Sequence, residues 1–194
     1  MNIFNRYKKP IENLQKYIDM EYGEKVMNID SSLIYIPSIT IKNYEGKNIC
    51  TLVSMSKLIN FYSFSNREDK INEIFKYVYD NAYLKGYHPV TGTYPLFYKR
   101  IFKKTLEDLD IDNLEMKNHL SLNFDLIKEN IGKNNPLMLS FYSGYYKKHT
   151  VVCNGYALVK TDKNIRKFLI VADGWKNTYR YIDIDRINKL FVIG

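Results

Sequence analysis

Strand-like runs crowd the last third of the chain: PLMLSFY, HTVVCNGYALV, KFLIVADGW, TYRYIDI and KLFVIG. Each is rich in β-branched, aromatic and aliphatic residues, and TDKN supplies a hairpin turn between the second and third. Segments so close together predict an antiparallel sheet. The residues before them read differently. Pro10 to about Met20 forms an amphipathic helix with Pro10 suited to its first turn. SSLIYIPSITI is extended and broken at Pro37, and NYEGKN is a turn. Cys50 to about Tyr62 is a helix with a broad apolar face of Leu52, Met55, Leu58, Ile59 and Tyr62. Ser56, Lys57 and Asn60 leave it only a narrow wet strip, so this helix is expected to be central. Further helices are expected from Asn66 to about Leu84, with Asp69 completing a capping box and Gly86 stopping it, and from Tyr94-Pro95 to about Leu109. A short one runs from Phe124 to about Ile131 and stops at Gly132. Helices followed by a sheet define the α+β class. There is no internal repeat or Pro/Gly linker, so residues 1–194 are expected to form one domain.

Charge and composition exclude some functions. The net charge is +8, but it comes mostly from lysines scattered singly or in pairs such as Lys8-Lys9, Lys103-Lys104 and Lys147-Lys148. Lys, Ile, Asn and Tyr are abundant together, the signature of an AT-rich bacterial coding sequence. No arginine-rich or focused basic stripe is present, which argues against nucleic acid as a partner. No apolar run approaches the ~20 residues of a membrane span. The N-terminal segment has no secretory apolar core. The expectation is a soluble, cytoplasmic protein with no membrane partner. Neither a phosphate-cradling glycine loop nor a dinucleotide fingerprint occurs, and no CxxC or HxxxH pair suggests a metal, so no cofactor is expected.

Three residues stand where chemistry is done. Cys50 opens the central helix, and Asn48 is a suitable N-cap that would put the thiol in the first turn. There the helix dipole and unpaired N–H groups favour thiolate. His149 opens an apolar strand that would fix it at the mouth of the core. Asp173 follows LIVA and precedes Gly174, so it is either a turn-former or a functional carboxylate. A thiol, an imidazole and a carboxylate at element ends suit thiol-based nucleophilic catalysis. Trp175, the only tryptophan, is expected either to pack in the core or to cover the imidazole–carboxylate bond. Cys153 shares a strand face with His149, but four residues along a strand span about 13 Å. It therefore cannot be the paired thiol and is expected in the core. His88 and His119 read as loop or surface residues.

Together these segments resemble the papain-like cysteine peptidases, in particular the bacterial branch similar to the bacteriocin-processing, double-glycine leader peptidases. NICTLVSMSKLINFY resembles the nucleophile helix. PLMLSFY and HTVVCNGY resemble the core strands, the second starting with the histidine, and VADGWKNTYRYIDI resembles the segment with the orienting residue. The resemblance runs from about Asn43 to the C-terminus. It implies a papain-like fold with a helical lobe at about 43–132, an antiparallel β lobe at about 133–194 and a cleft between them. Residues 1 to about 42 form an N-terminal extension.

The resemblance implies a Cys50, His149, Asp173 triad hydrolysing a peptide or amide bond of a peptide or protein substrate through a thioacyl-enzyme. An acyltransferase with the same thiol and histidine, or a binding module without turnover, are the alternatives. The chain departs from the family at two places. The glutamine expected six residues before the cysteine is replaced by Tyr44, which becomes the candidate oxyanion donor, with Asn43 and Asn48 behind it. The residue after the cysteine, often glycine in that branch, is Thr51.

Overall fold

A computed structural model describes residues 10–37, 48–119, 123–141, 145–174, 178–186 and 190–193, with the backbone alone at 118–119 and 190–193. Five helices and an antiparallel sheet make an α+β, papain-like fold. The helices are α1 (Leu14–Tyr22), α2 (Cys50–Phe64), α3 (Ile71–Ala82), α4 (Tyr98–Asp108) and α5 (Phe124–Gly132). The strands are β1 (Val26–Leu33), β2 (Tyr87–His88), β3 (Gly92–Thr93), β4 (Asn118–His119), β5 (Leu137–Phe141), β6 (His149–Thr161), β7 (Ile165–Ala172), β8 (Arg180–Asp183) and β9 (Leu190–Ile193).

The sheet is built around β6. One edge of β6 pairs with β7, from Val152 opposite Ala172 to Lys160 opposite Ile165. The other edge is shared. β5 takes the first part, Phe141 opposite His149 to Leu137 opposite Cys153, and β1 takes the rest, Leu33 opposite Gly155 to Val26 opposite Thr161. The order is β4-β9-β5-β6-β7-β8, with β1 added to β6. The segment expected as an N-terminal extension thus supplies a strand of the main sheet.

The change of partner falls at a β-bulge. The register of β6 against β7 shifts between Cys153 and Gly155. Asn154, the residue between, is buried, and its side-chain amide donates to the Ile34 carbonyl at 2.7 Å while its own main-chain carbonyl accepts from the Ile34 N–H at 2.7 Å. Gly155 is required because a Cβ there would lie 2.5 Å from the Ser32 carbonyl oxygen and 3.1 Å from Ile170 Cβ. Beyond the bulge, alternate residues of β6 face different cores. Ala157 and Val159 join Phe168, Ile11 and the α1 residues Leu14 and Ile18 in a small cluster, whereas Tyr156 and Leu158 pack against the main one. The buried Glu24 carboxylate receives Arg166, Thr161 at 2.8 Å and Asn164 at 3.0 Å, tying the β6–β7 turn to the N-terminal segment.

α2 is the central helix. It packs on β5 and β6, α3 packs on α2, and α4 on α3. The wet strip expected along it is dry: Ser56, Lys57 and Asn60 are all buried, and Tyr62, assigned to the apolar face, is partly exposed. The helix is covered on both sides, and two of these polar residues donate to main-chain carbonyls. Ser56 Oγ donates to the Leu52 carbonyl at 2.8 Å, and Asn60 Nδ2 donates to the Arg67 carbonyl at 3.1 Å. Two consecutive left-handed residues, Ser65 (φ 51°) and Asn66 (φ 60°), end it. That turn also removes the expected capping box. α3 starts at Ile71, Asn66 donates instead to the Tyr35 carbonyl at 3.1 Å, and Asp69 pairs with Arg67. Near Gly86 the chain makes the small β2–β3 hairpin where the sequence suggests a loop.

Gly155→Ala forces either β1 or Ile170 to move. An overpacked site of this kind costs about 1–3 kcal/mol, and urea unfolding followed by circular dichroism should show a midpoint lowered accordingly.

Candidate active site

Cys50, His149 and Asp173 meet at one end of the sheet, where α2 begins and β6 and β7 have their matching ends. Cys50 is the first residue of α2. Its N-cap is Ile49, without a side-chain cap. Asn48, the cap expected from the sequence, has another task. It takes a left-handed backbone (φ 65°), and its amide donates to the carbonyls of Pro89 at 3.1 Å and Val90 at 2.9 Å. Both amide hydrogens are thereby used to fasten the β2–β3 hairpin to the start of α2. This removes Asn48 as an oxyanion donor. Tyr44 and Asn43 lie outside the described residues, as does Trp175.

The thiol of Cys50 is hydrogen-bonded to His149. Burial pushes the thiol pKa up, but the hydrogen bond and positive charge of His149, with the backbone N–H groups of Thr150 and Thr51, pull it below the usual thiol range. The other cysteine shows the opposite balance. Cys153 is fully buried in β6, its sulfur meets the Gly155 carbonyl at 3.5 Å, and burial pushes it up to about 12. Both cysteines are free.

His149 is nearly buried, at 8% exposure, and opens β6 opposite Phe141. A tight turn places it: its N–H donates to the Tyr146 carbonyl at 2.9 Å, and the Lys148 N–H donates to the Phe141 carbonyl at 2.8 Å. The ring nitrogen Nε2 donates to the main-chain carbonyl of Asp173 at 2.8 Å. A carbonyl can only accept, so Nε2 carries a proton and Nδ1 is the nitrogen left for the thiol. The sequence reading puts the Asp173 carboxylate in this role. The structure uses the backbone of the same residue.

The Asp173 side chain, 2% exposed, has other neighbours. Tyr146 Oη donates to its Oδ2 at 3.2 Å. The same tyrosine lies flat on His149, with ring centroids 5.8 Å apart and planes 15° from parallel. Tyr146 therefore covers one face of the imidazole and donates to the aspartate. Sequence reasoning missed it because one tyrosine among 18 carries no signal, although its place three residues before His149 is a turn spacing. Lys57 is a buried lysine on α2 whose pKa is lowered by burial, against the charge of Asp173, which raises it.

Next to these residues four hydroxyls meet. Thr150 Oγ1 is 2.9 Å from both Thr51 Oγ1 and Ser140 Oγ, and Tyr98 Oη lies 3.1 Å from Thr51 and 3.4 Å from Ser140. The cluster joins α2, α4, β5 and β6. It gives Thr51 a use that glycine could not supply.

The site thus sets a helix-opening cysteine against a strand-opening histidine. The Peptidase_C39 like family matches residues 33–190, and the chain belongs to that papain-like cysteine peptidase family. No curated protein matches the chain. No described helix is long and apolar enough to cross a membrane.

Thr150→Val keeps the shape of the side chain and removes the centre of the hydroxyl cluster. Losing the two short hydroxyl contacts of Thr150 costs about 1–3 kcal/mol. Thermal unfolding should register that loss, and a paired Thr51→Val, Thr150→Val variant should lose less than the sum of the two singles.

Proposed function

We propose that this protein is a cysteine peptidase or amidase that cleaves a peptide bond by way of a thioacyl-enzyme. The single observation that carries the reading is the Cys50 thiol, held below its usual pKa by His149 at the start of α2. His149 takes the thiol proton at Nδ1, and the sulfur attacks the carbonyl carbon of the substrate. The tetrahedral oxyanion then collapses, the C–N bond breaks, and the imidazolium returns its proton to the leaving amine. Water attacks the thioester with His149 again as base, releasing the acid and restoring the thiol. Asp173 keeps the imidazole in the tautomer the transfer needs, through its carbonyl on Nε2. Tyr44 is the proposed side-chain donor to the oxyanion, with the backbone N–H of Cys50 as the second. The substrate is a peptide or protein, and membership of the Peptidase_C39 like family supports this choice.

The pH dependence follows from the direction of the Cys50 shift. A thiolate stabilised in the folded protein persists as pH falls below the ordinary thiol range and is lost only at the lowered pKa. Iodoacetamide should therefore label Cys50 at about pH 5–6, where a free thiol of pKa ~8.5 is nearly silent. His149→Ala should return the profile to the alkaline range, with labelling at pH 5–6 falling on the order of 10²-fold. An unchanged profile would mean the pair is not functional.

Cleavage is read by mass spectrometry of a peptide library incubated with the protein. Products should vanish with Cys50→Ala, and products that persist would overturn the reading. Tyr44→Phe should lower kcat on the order of 10²-fold while leaving the labelling profile in place, as expected for loss of one oxyanion donor.

A further inference from the structure

Tyr146 meets the candidate site with its backbone, its ring and its hydroxyl. The main-chain carbonyl accepts from the His149 N–H at 2.9 Å. The ring lies along the imidazole, 15° from parallel with centroids 5.8 Å apart, and the hydroxyl donates to Asp173 Oδ2 at 3.2 Å. The tyrosine is itself held. It is 2% exposed, tilted against Phe141 at 5.5 Å between centroids and met edge-on by Tyr145 at 5.1 Å. Phe141 is the β5 residue opposite His149, so the strand pair that fixes the histidine backbone also backs the tyrosine ring. A buried phenol needs a partner for its hydroxyl, and a buried carboxylate needs donors. Here each answers the other, between residues 27 apart in the chain.

We propose that Tyr146 is a positioning residue that joins the base to the group orienting it: its hydroxyl steadies Asp173, which keeps the Asp173 carbonyl on His149 Nε2, while its ring and carbonyl hold the imidazole toward Cys50. The role rests on the catalytic reading above. Asp173 then has two ends with separate tasks, its side chain bound to the tyrosine and its main chain presented to the imidazole. For the imidazole to swing away it must leave the parallel ring, and offset rings at this separation attract. For the carbonyl to drift from Nε2 the aspartate must pull on the tyrosine hydroxyl. Either movement would loosen the hydrogen bond from His149 to the thiol, and a thiolate that loses a hydrogen bond rises in pKa. Among the described residues, the titratable groups that face this unit come from every neighbouring element. Cys50 faces the imidazole from α2, Asp173 follows β7, and Tyr145 precedes β6 with Tyr146. Lys57 on α2 feels the charge of Asp173, Tyr87 on β2 feels that of Cys50, and Tyr98 on α4 reaches Thr150. Lys147 and Lys148, in the turn, are exposed.

The test uses the full chain and iodoacetamide, with labelling of Cys50 read by mass spectrometry across pH and stability by thermal unfolding. Tyr146→Phe keeps the ring and the turn and deletes only the hydroxyl. The acid limb of labelling should move up by about one pH unit, roughly a tenfold loss at pH 5–6. Asp173→Ala cuts the same hydrogen bond from the other side while leaving the main-chain carbonyl in the chain, and should also displace the limb. Adding Tyr146→Phe to Asp173→Ala should move it no further, because the hydroxyl then has no carboxylate to hold. Should Tyr146→Phe fail to fold alone, this double variant, which removes both buried partners together, is compared with Asp173→Ala and decides the question. A purely structural tyrosine would give a lowered unfolding midpoint in Tyr146→Phe with the limb in its wild-type place. That result, a wild-type limb in Asp173→Ala, or a further displacement on adding Tyr146→Phe to Asp173→Ala would each overturn the proposal. A wild-type protein with an ordinary alkaline profile would overturn the catalytic reading itself, which distinguishes the two failures.

Discussion

The hydrogen bond from His149 Nε2 to the Asp173 carbonyl is the contact on which the candidate site depends. It decides which ring nitrogen is protonated, and so which one can receive a proton from Cys50. Being a backbone contact, it is only as well placed as the chain at the end of β7. That end is fixed by pairing with β6 up to Val152 opposite Ala172, one residue short of Asp173. The Asp173 side chain accepts in turn from Tyr146. Orientation of the imidazole is thus a property of the sheet register and of a buried tyrosine together.

The thiol depends on its scaffold in the same way. α2 is buried on nearly every side, so its first residue has little freedom to move. The hydroxyl cluster of Thr51, Thr150, Ser140 and Tyr98 locks the first turn of α2 to β6 and β5. Cys50 and His149 sit directly next to cluster members in sequence, so their separation is set by these neutral hydrogen bonds. Polar groups buried this way rigidify when every one has a partner. The His149 charge and the backbone N–H groups at the helix start then outweigh burial and bring the thiol down, whereas Cys153, in β6 without such neighbours, is driven up to about 12.

Much of this is legible in the sequence, for physical reasons. The strands at the C-terminal end and α2, α4 and α5 declare themselves through long apolar or periodic runs, and so does the α+β class. Cys50, His149 and Asp173 stand at element ends, where convergence is geometrically allowed. The misread asparagines share one cause: short polar side chains have several partners available and local spacing does not choose among them. Asn48 looks like a cap but fastens the β2–β3 hairpin, and Asn66 with Asp69 looks like a capping box but sits in a left-handed turn. Lys57 looks like part of a solvated strip because a wheel cannot see that α3 covers the outer side of α2 while the sheet covers the inner. The carbonyl of Asp173 is invisible in principle, since sequence patterns speak of side chains. β1 joins the sheet just past the bulge at Asn154, and there the close approach of the Ser32 carbonyl leaves room only for glycine at position 155.

Nitrogen-15 NMR of His149 in the Cys50→Ala protein tests the central contact most directly. With the thiol absent, the neutral ring should carry its proton on Nε2, because the Asp173 carbonyl accepts only from an N–H there. The Nδ1 resonance should be that of an unprotonated nitrogen. A neutral ring protonated on Nδ1 would contradict the account, since Nε2 would then have no proton to give the carbonyl and the nitrogen facing Cys50 could not act as its base.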